Sequence, residues 1–274
     1  MTSRSCVGFD WDEQWYLDRY PDIADAVRRG DLNNPLLHYL RCGAREGRFP
    51  CQAAAERAST GADPAPKFNI GGRSVSLDYP VRAEASKSFG LRLANGFFAQ
   101  YLNGAVVVDV GYRGAHADAV PILPHALGVE LDYPGYDGRT LPFPNGSVDT
   151  VFSSHVLEHL EDAIASISDW FRVIKIGGFI VCIVPHQYLY EKKLNPPSKW
   201  SGEHLRFYTP STLLRDFETA LEPNSYRVRH LADNDLEYRY DLGPEHHPGG
   251  CYEIELVVQK IHPPSWALLD CKPM

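Results

Sequence analysis

Three histidines stand where a proton could be taken from a substrate. His155 lies in VFSSHVLEH, His186 in IVPHQYLYEKK and His204 in SGEHLRFYTP. An imidazole suits that work because its unperturbed pKa lies near neutrality. Each of the three is expected just beyond a strand end or in a polar, aromatic-rich loop, where catalytic groups gather. Three neutral imidazoles converging there could instead bind a divalent metal that orients hydroxyl groups. His159, four residues after His155, is expected to pack or cap.

A second constellation precedes them. In VVVDVGYRGAHAD, residues 106–118, an apolar run ends in the acid Asp109, and glycines follow where the chain must turn sharply into a helix. Gly111 and Gly114 would let the backbone approach a ligand with no Cβ in the way. GVELD places Glu130 ~20 residues after Asp109, where Rossmann-type sites carry a carboxylate for ribose hydroxyls.

The elements that must position these groups follow from periodicity. Ala105–Val110 reads as a strand buried on both faces of a parallel sheet, with shorter strands over Ala126–Leu131 and Thr150–Ser153. Leu91, Ala94, Phe98 and Tyr101 mark one helix ending at Asn103-Gly104, and Leu160, Ile164, Ile167, Phe171 and Ile174 mark another. Gly177-Gly178 turns the latter into the strand Phe179–Val184. Thr209 as N-cap and Pro210 at the first position open a further helix. Two strands close the sheet, Tyr226–Leu231 and Tyr252–Ile261, the latter setting Tyr252, Ile254, Leu256 and Val258 against Glu253 and Glu255. The whole is an α/β doubly wound, Rossmann-like sheet with helices on both faces. A small helical module precedes it over residues 9–50. There Pro21 breaks one helix into two, and Asn34-Pro35 starts another that ends at Gly43. Residues 51–66, with almost no large apolar side chains, read as a linker, leaving 67–274 as the main domain.

DGRTLPFPNGSVDTVFSSHVLEHLED, residues 137–162, resembles the class I S-adenosylmethionine (SAM)-dependent methyltransferases, specifically their small-molecule branch. The likeness runs over roughly residues 87–260 and includes GGFIVCIVP. It implies SAM as cofactor. Asp109, Gly111, Tyr112, Arg113 and Gly114 match the loop beside the methionine half, and Glu130 matches the ribose acid. Asp137 matches the acid near the adenine amino group, with Leu141 or Phe143 bordering the ring. Ser154 and His155 match the strand end where methyl donor faces acceptor. The string His155-x-x-Glu158-His159 also fits a zinc pattern, which the methyltransferase resemblance explains better. Residues 9–50, with YPD, NPLLHYL and GAREGR, are similar to a module of bacterial surface-polysaccharide proteins, which implies biosynthetic enzymes of that kind as partners.

The sequence departs from the family where Arg113 and Ala115 replace two glycines of the loop. Arg113 either pairs with the SAM carboxylate or turns to solvent. Pro121 and Pro124 shorten the helix that should follow, and between Glu130 and Asp137 there is little room for the usual helix and third strand.

Three functions remain open at this point, the first of them leading. One is O-methylation of a sugar or sugar-linked small acceptor, suggested by Tyr188, Tyr190, Trp200, Tyr208 and the charged residues between them. Another is methylation of some other small metabolite. The third is a non-catalytic scaffold that keeps the fold. The 274 residues carry a formal charge of −8, which argues against nucleic acid as partner. No apolar segment has the length of a membrane span, the N-terminus lacks a secretory core, and six scattered cysteines fit reduced thiols, so a cytoplasmic location is expected.

Overall fold

Local signals decide where the first helices begin. In the computed structural model, which describes residues 9–61, 65–114 and 116–266, Asp12 caps α1 (Glu13–Arg19) by accepting from the Trp15 N–H at 3.0 Å. Pro21 has no N–H to continue that helix and instead starts α2 (Pro21–Arg29). Asn34 accepts from the Leu36 and Leu37 N–H groups at the start of α3 (Pro35–His38), which widens into a π-helical turn over Tyr39–Gly43. The stretch expected to be a linker contains α4 (Gln52–Ser59), with Ala54 fully buried. Alanine is the strongest helix former, so a search for large apolar side chains passed over it. Ala115, and Cys6 and Cys271 at the ends of the chain, lie outside the described residues; the four cysteines within them are free thiols.

A short hairpin follows, β1 (Lys67–Ile70) paired with β2 (Arg73–Ser76). The single helix expected around Leu91–Tyr101 is two, α5 (Ala85–Ala94) and α6 (Phe97–Tyr101), because Asn95-Gly96 breaks it with Gly96 at φ 81°. Gly90 of α5 lies against the Leu40 carbonyl, which a Cβ would meet at 2.1 Å. Tyr16, Tyr39 and Leu40 accordingly share one apolar core with Phe89, Leu93 and Phe152.

The main sheet has six strands in the order β4-β3-β5-β6-β8-β7. They are β3 (Val107–Val110), β4 (Leu127–Val129), β5 (Val148–Ser154), β6 (Ile174–Pro185), β7 (Tyr226–Asn234) and β8 (Glu253–Lys260). The first four run parallel, and β8 is antiparallel to both neighbours. All of β3 is buried, as its β-branched run requires. Helices α5 and α6 cover one face. The other face packs α7 (Ala163–Val173) and α8 (Pro210–Ala220), the latter opened by a Thr209–Thr212 capping box. On α7 the buried stripe is Ala163, Ser166, Ile167, Trp170 and Val173, so the expected stripe marks one edge of it. The fold is Rossmann-like, with its switch point where the chain leaves β3 for β4 and returns to β5.

Two connections depart from the doubly wound pattern. No helix forms among the described residues between β3 and β4, contrary to the expectation of a shortened one. Pro121 and Pro124 withhold two N–H groups, and the Asp109 carboxylate accepts the Ile122 N–H at 2.5 Å, folding the loop back over the strand end. Between β4 and β5 the described chain has neither helix nor strand, as the short spacing implied. Arg172 holds that loop by donating to the Leu141 and Phe143 carbonyls. No helix among the described residues is long and apolar enough to cross a membrane.

Candidate active site

A cleft opens at the carboxyl ends of β3 and β5, the place where open α/β sheets take ligands. It encloses about 480 Å³ of empty space, part of it open to solvent, between residues 81–85 and a wall built from Asp109, Gly111, Tyr112, Gly114, Ser154 and His155. Gly111 closes the turn with φ 70°, and a Cβ there would stand 2.3 Å from Val156 Cγ2. Only glycine meets both demands. Asp109 is 3% exposed. Burial pushes its carboxyl up to about 8, against the opposing Ile122 N–H bond, and the Glu130 charge adds to the rise. The Ser154 hydroxyl is buried beside it with no hydrogen-bond partner.

The remaining residues expected at the cofactor do not line this cleft. Glu130 accepts the Arg113 N–H at 2.6 Å and so braces the turn. The Arg113 guanidinium pairs at 2.7 Å with the exposed Asp132, on the solvent side as the second reading of Arg113 expected. Asp137 accepts from the Arg139 and Thr140 N–H groups, and those bonds hold its carboxyl below the usual range. Leu141 is buried, its N–H donating to Asp169 at 2.7 Å.

His155 follows β5 in the left-handed region, φ 56°, and donates its backbone N–H to the Ile183 carbonyl. Its Nε2 lies 3.3 Å from Glu253 Oε1 and its Nδ1 3.8 Å from Glu158 Oε1. Glu253 alternates with the apolar row of the last strand, and it is 1% exposed. Helices cover both faces of the sheet, so its own row meets α5, where Arg92 holds Glu253 at 2.7 Å and Ser88 donates to it at 3.0 Å. Burial alone would raise the Glu253 carboxyl; Arg92 and His155 outweigh it and hold the group down at about 2. An ionised acid thus fixes Nε2 of a histidine that lines the cleft, and although burial alone would lower the His155 pKa, the Glu253 bond and the Glu158 charge outweigh it and raise it. Arg92 and Glu253 were not found by sequence reasoning; the one local hint is a guanidinium inside an apolar helix stripe.

The other two histidines diverge. His186 is buried, and its Nδ1 accepts the Tyr188 N–H at 3.0 Å, capping a π-helical turn over Gln187–Glu191. Its Nε2 faces Asp233 Oδ1 at 3.7 Å. Burial pulls its pKa down, partly opposed by Asp233. With its lone pair engaged, His186 has no free nitrogen to accept a substrate proton. His204 reaches the neighbourhood of His155 through a shared carboxylate: its Nε2 is 4.0 Å from Glu158 Oε1, while its Nδ1 meets Glu191 Oε1 at 2.5 Å. His159, expected only to pack or cap, has its Nε2 3.8 Å from the same Glu158 oxygen.

The long loop before Tyr208 spends its cations on backbone. Lys192 donates to the Leu242 and Gly243 carbonyls, Lys193 to Pro197 and Lys199 to Pro244. Arg206 gathers the carbonyls of Leu157, Leu160 and Glu161. Tyr190 makes tilted ring contacts with Tyr252 and His204, and Tyr208 is buried, whereas Tyr188 is 60% exposed.

The methyltransferase domain family matches residues 94–182, which carry the cleft wall and the His155 turn. A protein of Mycolicibacterium smegmatis described as a probable S-adenosylmethionine-dependent methyltransferase is 32% identical over 97 residues, 34% of this chain. The match covers 37% of that relative's length. A SAM-dependent methyltransferase from Mesorhizobium loti superposes with TM-score 0.39 at 17% identity, over 57% of this chain and 91% of that one. A SAM-dependent methyltransferase from Aquifex aeolicus gives TM-score 0.35 at 14% identity, over 57% and 82%.

Proposed function

We propose that the chain is a SAM-dependent methyltransferase that transfers a methyl group to a hydroxyl of a small acceptor, a sugar or sugar-linked molecule being the favoured class. The observation that carries this reading is the cleft itself. A glycine turn that admits no Cβ, a buried acid and an unpartnered serine hydroxyl meet at the switch point, inside the segment matching the methyltransferase domain family. In this reading the turn and Asp109 hold the methionine half of SAM, and Glu130, Asp137 and Leu141 border the adenosine once the cofactor draws them in. Methyl transfer is accelerated mainly by holding donor and acceptor in line. His155, fixed by Glu253, accepts the hydroxyl proton through Nδ1 as the sulfonium methyl moves to oxygen, leaving S-adenosylhomocysteine; the neutral imidazole this needs is populated above its raised pKa. Residues 9–50 form an accessory module in this reading, and exposed Tyr188 supplies a plane for the acceptor.

The test is calorimetric titration of SAM and S-adenosylhomocysteine into the full chain, beside Gly111→Ala. The wild type should bind both, and the variant should lose about 10- to 100-fold in affinity from about 1–3 kcal/mol of backbone strain with the Val156 clash added. A folded wild type that binds neither ligand would overturn the reading. That outcome would favour a non-catalytic protein, which has its own support: Glu130 already braces the Arg113 backbone and, among the described residues, no helix N-terminus follows the turn. Labelled SAM offered with nucleotide sugars and glycan fragments then tests the acceptor. Label entering only amines or lipids would defeat the sugar assignment.

A further inference from the structure

Glu158 is a fully buried carboxyl group whose two oxygens both lack a hydrogen-bond partner. Burying an unpaired carboxylate is costly, and proteins avoid it by pairing the charge or giving it to a metal. The groups around Glu158 are imidazoles. Glu158 Oε1, His159 and His204 each place one ligand atom within 4.8 Å of the other two.

Both rings are held so that a lone pair can face the carboxylate. His204 Nδ1 is tied at 2.5 Å to Glu191 Oε1 and His159 Nδ1 at 3.2 Å to the Glu203 carbonyl, which leaves each Nε2 directed at Glu158. A histidine that gives one N–H to a carboxylate or carbonyl and turns the other nitrogen inward is how metal ligands are oriented. Charge points the same way. Glu158 and Glu191 are both buried, and the Arg206 guanidinium beside them is committed to carbonyls. A divalent cation would offer these two carboxyl groups a partner of opposite charge.

We propose that Glu158, His159 and His204 bind a first-row divalent transition-metal ion, zinc being the best chemical match. Two imidazole nitrogens and one carboxylate oxygen suit zinc, with a fourth position left for water or a further ligand. His155 Nδ1 lies 3.8 Å from the same Glu158 oxygen. Bonds of about 2.0–2.2 Å require ligand atoms roughly 3–3.5 Å apart, so on loading both imidazoles must close on Glu158 from 3.8 and 4.0 Å and on each other from a separation of up to 4.8 Å. His159, about a third exposed, provides the way in. Glu158 and His159 belong to the turn after β5, whereas His204 and Glu191 belong to the loop beyond β6. The ion therefore clips that loop to the cleft wall. The three residues do not share a helix, so the His-x-x-Glu-His string implies no peptide hydrolysis here. Nothing in this proposal depends on whether the cleft binds SAM.

The full chain, stripped with chelator and dialysed, is titrated with Zn²⁺ and with Co²⁺ as spectroscopic probe. One equivalent should bind, Co²⁺ should show the visible bands of a low-coordinate nitrogen–oxygen site, and Zn²⁺ should raise the melting temperature. Glu158→Gln, His159→Ala and His204→Ala should each weaken binding by more than about 100-fold, and Glu191→Gln by about 10- to 100-fold. Exposed His246→Ala should bind as the wild type does. If Glu158→Gln does not fold, His159→Ala decides, because its ring is the most exposed of the three. A wild type that takes up no equivalent of either ion, or a folded His159→Ala that binds as tightly as wild type, would overturn the proposal and leave a cluster balanced by protons.

Discussion

The two ends of the proposed cofactor region differ in how their polar groups are employed. At the β3–β5 end, Ser154 Oγ has no partner, Asp109 is buried with one N–H bond, and His155 keeps Nδ1 free of hydrogen-bond donors. At the β4 end the polar groups serve their own backbone: Glu130 braces Arg113, Asp137 closes a turn, and Arg172 holds the following loop. The first end has hydrogen-bonding capacity to offer a ligand, and the second must surrender bonds to gain new ones. Methionine recognition is therefore preformed in the proposed site, whereas adenosine recognition has to be induced.

Asp109 gives the largest expected effect. Its carboxyl has a folded pKa of about 8, well above the ordinary value of about 3.9. A raised folded pKa means that stability is complete below the ordinary value and is lost as pH climbs through the folded one. The penalty thus grows between about pH 4 and 8, reaching several kcal/mol. The charged or titratable groups acting on Asp109 are Glu130 and Tyr79. Asp109→Asn should flatten this dependence, its amide oxygen still accepting the Ile122 N–H, and should resist urea better than wild type at about pH 9 but not at about pH 4. Parallel pH curves for the two proteins would show that Asp109 is ionised in the fold. A cationic sulfonium favours the ionised carboxylate, so SAM affinity should rise through the same window and binding should release a proton.

Next comes the contrast between histidines. His155→Ala should lower turnover by about 10²- to 10⁴-fold, the range of general-base catalysis, with little change in SAM affinity. His186→Ala should act through the Gln187–Glu191 turn it caps and alter turnover far less. Equal losses in the two variants, measured at saturating SAM and acceptor, would remove His155 from its assigned role.

Much of the frame was legible because its signals are local. Pro21, Asn34-Pro35 and Thr209-Pro210 mark helix starts by the chemistry of one or two residues. The run ending in Val110 marks a doubly covered strand by composition alone. What escaped was tertiary. Glu253 alternates with apolar neighbours as a solvent-facing residue would, and only the helix lying over that face, carrying Arg92, makes it a buried ion. The His155-x-x-Glu158-His159 string was visible, but His204 and Glu191 reach it from a loop some forty residues on. The missing helix after β3 had its prolines in plain view. The capture of the Ile122 N–H by Asp109 needed the fold.

Arg113 provides the smallest effect and the sharpest check on the contrast between the two ends. Its guanidinium pairs with an exposed carboxylate, where solvent and salt leave little net attraction. Stability of Arg113→Ala should therefore be close to wild type, and added salt should not separate the two proteins. If the β4 end is recruited only through the Arg113 backbone N–H, which the variant keeps, SAM affinity should change by less than about threefold. If the guanidinium instead leaves Asp132 for the cofactor carboxylate, a charge-assisted bidentate pair is lost, and affinity should fall well beyond that limit while Asp132→Asn, freeing the arginine, strengthens binding. The second pattern would mean that both ends of the site rearrange on binding, and that the division between a preformed and an induced half does not hold.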